Sequence, residues 1–145
     1  MRLEDILSQW DVDAEIDGTN LGNESLKISK KHSKYYRILT IERVLLQQYE
    51  AEFKEILLEK WEFYIDGESA ESIKKGWNPP HKGKVLKSDV GIYLDADREL
   101  LNLSLKIGLQ KEKIKVLEDM IKIIHQQSYH INSAIEYMKF QAGEG

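Results

Sequence analysis

The sequence predicts an all-α protein. Three observations predict it. The run 23–65 contains no proline and no glycine. A heptad pattern of apolar residues persists from Leu100 to Met138. Strongly charged composition, 32% Asp, Glu, Lys and Arg, suits long solvated helices. The expected architecture is an elongated hairpin of two long helices plus a short N-terminal helix, assembling into a homo-oligomeric ring.

The elements follow in chain order. Leu3, Ile6, Leu7 and Trp10 keep the i, i+3, i+4, i+7 spacing, which predicts an amphipathic helix over 3–10. Residues 11–19 read as an acidic, turn-like link containing Asp17-Gly18, and Asn20 or Asn23 as the next N-cap. Tyr35, Leu39, Leu46, Tyr49, Phe53, Leu57, Trp61 and Tyr64 then recur at three-, four- and seven-residue steps, interrupted by Glu42. They predict one helix over 23–65. Asp66-Gly67 should stop it, Ser69 to Lys75 should form a short turn of helix, and Asn78-Pro79-Pro80 breaks the chain direction. Val85-Leu86 reads as extended. The last helix is expected over 95–142, with Asp95 as N-cap and Asp97 and Glu99 in its first turn. The whole chain of 145 residues reads as a single helical domain: acidic segment 1–22, helix 23–65, irregular connector 66–94, helix 95–142.

Two heptad positions of the last helix form the predicted self-association seam. Leu100, Ile107, Ile114, Ile121 and Ile135 occupy one; Leu103, Leu117, Ile124, Ile131 and Met138 the other. Ser128 and Gln110 are the exceptions. Leu101, Leu105, Leu109, Val116, Met120 and Ile123 form a second apolar stripe off that seam, which a neighbouring subunit would cover. A helix over 23–65 would be roughly 64 Å long. A compact globule of this chain length has a radius of gyration of about 15 Å, hence the elongated expectation.

Several functions are excluded by composition. There is no cysteine, so disulfides, thiolate metal sites and thiol nucleophiles are absent, and a reducing cytoplasm is the simplest home. The N-terminus lacks the pattern of a signal peptide, and no apolar run approaches a membrane span. His125 and His130, five apart, point about 140° away from each other around a helix, so no metal is expected. Asp11 to Glu15 and Asp95 to Glu99 begin like calcium loops, but Ile16 and Leu100 stand where the loop glycine belongs. Gly83-Lys84 lacks the rest of a phosphate loop, and no serine sits in a nucleophile elbow. The chain is expected to bind rather than catalyse, with no cofactor.

Charge is segregated within a net −4. Residues 1–25 hold one base, Arg2, against seven acids. Residues 26–40 hold Lys27, Lys30, Lys31, Lys34 and Arg37 and no acid, and 74–87 hold Lys74, Lys75, Lys82, Lys84 and Lys87. The first four lysines share one helical face, which could track a phosphate backbone, with His32, Tyr35 and Tyr36 available to stack on bases. Lys60, Phe63 and Tyr64 form a second base-plus-aromatic cluster of the same kind. The rival reading makes both clusters structural: a solvated face neutralised by the acidic segment, and an aromatic core at a helix end. On that reading the protein is a helical scaffold that binds protein partners only.

The order of these features resembles the UvsY recombination mediators of T4-like bacteriophages. The resemblance is carried by the opening MRLEDIL, by Ile16-Asp17 with Thr19 and Leu21, and by Lys31-His32-Ser33. It continues with Lys60-Trp61-Glu62-Phe63-Tyr64 before Gly67, Val85 to Ser88, Leu94 to Asp97, and the ending INSAIEYMKFQAG. It implies a protein of the infected host's cytoplasm that binds single-stranded DNA. It also implies closed homo-oligomers of about six or seven subunits, with the C-terminal helix assembling the ring. The implied partners are the phage recombinase and the phage single-strand-binding protein, which the recombinase is helped to displace. In the family two basic residues precede the aromatic element. Here Lys60 keeps one and Leu58 replaces the other, which shifts weight to the Lys27–Arg37 stripe.

Overall fold

The computed structural model describes residues 1–80 and 83–143, and among these the regular structure is all helix, without strands. Five helices follow one another: α1 (Leu3–Asp13), α2 (Leu21–Asp66), α3 (Ala70–Lys74), α4 (Val90–Ala96) and α5 (Arg98–Gln141). Contacts gather the chain into two compact units, Met1–Val44 with Lys111–Gly145, and Leu45–Gln110.

In the first unit the early part of α2 packs antiparallel to the late part of α5, and α1 lies on both. The core is Ile6, Tyr35, Leu39, Ile114, Leu117, Met120, Ile124 and Ile131. Full burial of one such aliphatic side chain contributes about 1.5–3 kcal/mol. The acidic link is shorter than expected, because α1 runs on to Asp13, where the Ala14 N–H donates to Trp10 O. Asp17 then accepts from the Thr19 N–H and hydroxyl, closing the turn. The Asn20 carbonyl accepts the Glu24 N–H at 3.1 Å, so Asn20, not Asn23, stands at the start of α2. Glu42, which broke the apolar pattern, is buried: the Met1 amine and Lys113 Nζ reach it at 3.1 and 3.3 Å. An acid at a core position is thus matched by two cations brought from elsewhere, one preceding α1 and one on α5.

In the second unit α2 ends where expected, with Gly67 at φ +89° donating to Phe63 O. Only glycine takes that conformation cheaply. Ser69 caps α3 through a reciprocal pair of bonds with Ser72. The Val85 N–H donates to Tyr64 O at 2.9 Å, so the segment before α4 is tied to the end of α2. The expected start of the last helix at Asp95 is corrected. Residues 90–96 form their own helix, and Asp97, extended at φ −64°, ψ +124°, separates it from α5. Asp97 caps α5, its carboxylate accepting the Leu100 N–H at 3.1 Å.

The heptad seam is used inside the chain. Leu100, Leu103, Ile114, Leu117, Ile124 and Ile131 are buried, Ile107, Ile121 and Ile135 half-buried, and Met138 exposed. Of the second stripe Met120 is buried and Val116 half-buried, while Leu101, Leu105, Leu109 and Ile123 remain exposed. The surface available for association is therefore the second stripe more than the seam.

Candidate nucleic-acid interface

The basic stripe divides once α2 is packed. Lys27, Lys30, Lys34 and Arg37 are exposed, whereas Lys31 is 8% exposed and donates to Gln127 Oε1 at 3.1 Å. Gln127 in turn donates to Ala14 O, so Lys31 belongs to a buried polar link between α1, α2 and α5. The i, i+3, i+4, i+7 face is about 100° wide, and here its edge turns into the core. Tyr35 is corrected likewise. It is fully buried, its ring edge-on to Trp10 at 5.2 Å, and its hydroxyl donates to Asp13 at 2.8 Å. Burial, then the Asp13 carboxylate, push the Tyr35 hydroxyl well above its ordinary range, so it stays a donor. Tyr35→Phe should cost about 1 kcal/mol of stability by urea unfolding and leave DNA affinity unchanged.

The acidic end of α1 meets the stripe directly. Lys34 Nζ lies 2.6 Å from Asp13 and Lys27 Nζ lies 3.1 Å from Glu24. Burial works against the charge on Asp13, but the bonds from Lys34 and Tyr35 outweigh it and hold the carboxyl below its ordinary value. Val12, Asp13 and Glu15 face Lys27, Lys30 and Lys34 across a groove of about 410 Å³. Among the described residues no ion pair engages Lys30 or Arg37.

The second cluster is structural in this fold. Lys60 is buried, with Nζ 3.2 Å from both Asp97 and Glu99 and 4.1 Å from the Trp77 ring centre. Phe63 is buried against Trp77, and the half-buried Tyr64 donates its hydroxyl to Asp97 at 2.6 Å. The polar atoms of Lys60 and Tyr64 are thus engaged within the fold, and the Phe63 ring is buried. The signal that would have placed Lys60 lies in Trp77 and Asp97, too far along the chain for periodicity to register. Of the 74–87 lysines, Lys74, Lys75, Lys84 and Lys87 are exposed and Lys75 pairs with Glu59; Lys82 lies outside the described residues.

Two pairs of rings do reach the surface elsewhere. His32 and Tyr36 stack at 5.9 Å with an interplanar angle of 11°, and His125 and Tyr129 meet edge-on at 5.4 Å. Each pair spans four residues, one helical turn. The second pair was missed, although its spacing in a stretch without acids was readable. Among the described residues no three or more His, Asp or Glu side chains cluster to hold a metal, and no helix is long and apolar enough to cross a membrane.

Fold and surface together define an all-α protein whose one unit carries exposed basic and aromatic side chains on paired long helices. A family model described as "Recombination, repair and ssDNA binding protein UvsY" matches residues 9–144, and the chain belongs to this UvsY family. Crystal structures of the bacteriophage T4 recombination mediator protein UvsY share the fold. The lattice type II structure has TM-score 0.80 at 21% identity, covering 98% of each chain. The lattice type IV structure has TM-score 0.78 at 18% identity, covering 97% of this chain and 99% of that one. No curated protein sequence matches the chain significantly.

Proposed function

We propose that this protein is a recombination mediator. It binds single-stranded DNA as a homo-oligomer and promotes loading of a recombinase onto DNA covered by single-strand-binding protein, in the cytoplasm of an infected bacterium. The family match over 9–144 carries the reading. The exposed Lys27, Lys30, Lys34 and Arg37 support it, because they put cations on one open face of a chain whose net charge is −4. Repeating a modest basic face around a ring of about six or seven subunits would add roughly 10²–10⁴ in avidity. A ring that prefers a strand geometry the coating protein disfavours would loosen that protein and expose a stretch for the recombinase; equal preference would shift nothing.

The expected result is stimulation of recombinase ATP turnover on coated DNA and much less on bare DNA. Equal stimulation on both would sink the mediator mechanism. Replacing Lys27, Lys30, Lys34 and Arg37 together with alanine should flatten the salt dependence of DNA affinity, each neutralised phosphate accounting for a slope of about −0.7. The ion pairs from Asp13 and Glu24 favour the scaffold reading, in which these cations serve the fold alone. Salt-insensitive or absent oligonucleotide binding by the native protein would select it.

A further inference from the structure

Among the exposed rings of the first unit, four fall in two pairs, one on each long helix. Tyr36 is 52% exposed and Tyr129 64%, and His32 and His125 are exposed beside them. Arg43 on α2 bonds Glu118 on α5 at 3.1 Å across this edge of the antiparallel pair. Two turns back along α2 from Arg43 stands Tyr36; two turns on along α5 from Glu118 stands His125. One further turn along each helix stand His32 and Tyr129. Both ring pairs thus fall on the same edge of the helix pair.

Along the two helix stretches that carry them, charge is one-sided. The stretch 25–41 of α2 has no acid and carries Lys27, Lys30, Lys31, Lys34 and Arg37; the stretch 120–135 of α5 has no acid and carries Lys122. Elsewhere acids are abundant, 25 in the chain. A self-associating apolar surface has no use for such an exclusion of acids, whereas a surface that holds bases while phosphates run alongside requires it. Ser29, Ser33, Gln126 and Asn132, uncharged and polar, are exposed on the same stretches.

We propose that His32, Tyr36, His125 and Tyr129 form a base-stacking platform for single-stranded nucleic acid, built jointly by α2 and α5. The proposal rests on the single-strand-binding reading above and names side chains that reading does not need. Lysines supply the salt-dependent attraction to the backbone. The platform supplies a salt-independent hold on the bases, sequence-tolerant because every base has a flat face.

The test separates bases from backbone. Anisotropy would follow binding of an oligothymidylate of about 16 nucleotides and of an abasic strand of equal length. Tyr36→Ala/Tyr129→Ala should weaken binding of the base-bearing strand at least about fivefold, the lower end for one lost stack. It should leave the abasic strand's affinity and both salt slopes unchanged, and Tyr36→Phe/Tyr129→Phe should restore wild-type affinity. The rings are exposed, so thermal unfolding should be unaltered. Equal weakening on both strands, no weakening, or a change in assembly mass in place of base-dependent loss would overturn the platform. Failure of the wild-type protein to bind either strand would instead overturn the single-strand-binding reading, and the platform with it.

Discussion

Lys60→Met should lower the stability of the protein by about 3–5 kcal/mol, because it leaves Asp97 buried without its cation. Lys60 and Asp97 side chains are 7% and 5% exposed, so solvent cannot replace the lost charge. Glu99, nearly half exposed, loses little. The double variant Lys60→Met/Asp97→Asn should recover most of the loss, since asparagine caps a helix about as well as aspartate and carries no charge. Urea unfolding of the three proteins checks this. Were Lys60 instead a DNA contact, Lys60→Met would leave the unfolding midpoint in place and flatten the salt dependence of DNA binding. Acid should reproduce part of the effect. Burial opposes the charge on Asp97, yet the Tyr64 hydroxyl, the Leu100 N–H and Lys60 outweigh it and hold the carboxyl below its ordinary 3.8. A depressed carboxyl contributes stability that is complete above its unfolded value, and that stability is lost as pH falls through the folded one. Asp97→Asn should therefore show a shallower fall in stability below about pH 4 than the native protein.

The second large effect separates core from association surface. Leu117 is fully buried, and Leu117→Asp would both empty its site and bury an unpaired carboxylate. The expected cost, about 5 kcal/mol or more, is of the order of a whole domain's stability, so cooperative unfolding should disappear. Leu105 is 70% exposed and lies between Leu101 and Leu109 on one stripe. Leu105→Asp should keep the subunit's unfolding free energy within about 0.5 kcal/mol and reduce the mass measured by light scattering. Native mass in Leu105→Asp would move assembly off this stripe. A cooperative, fully folded Leu117→Asp would contradict the core described here. Ile114→Asp belongs with Leu117→Asp, for Ile114 is buried too.

The parts legible in the sequence were those governed by short-range periodicity. A glycine- and proline-free run gave the long helix within two residues of each end, and heptads marked the apolar side of the last one. Periodicity does not say which partner covers an apolar side, so the seam of Leu100, Leu103, Ile114, Leu117, Ile124 and Ile131 read as an intersubunit surface when it is the chain's own core. The same limit misplaced Lys31, whose partner Gln127 is 96 residues away. Asp95 and Asp97 are equivalent as capping signals; only the contacts of Asp97 with Tyr64 and Lys60 select it. Glu42 resembled a pattern defect because Lys113, which neutralises it, is remote in sequence.

The connector between α2 and α4 is fastened at both its ends. Val85 is bonded to Tyr64 O, and Asp97 beyond α4 is bonded to the Tyr64 hydroxyl. Chain length between such fixed points costs little, about 0.6 kcal/mol for each doubling. Asn78 is exposed and precedes two prolines that already stop any helix. Insertions placed after Asn78, past the Trp77 ring that packs on Phe63 and Lys60, should therefore leave the start of α5 undisturbed, and the same position offers a place to splice in a fluorophore-bearing peptide or an affinity tag.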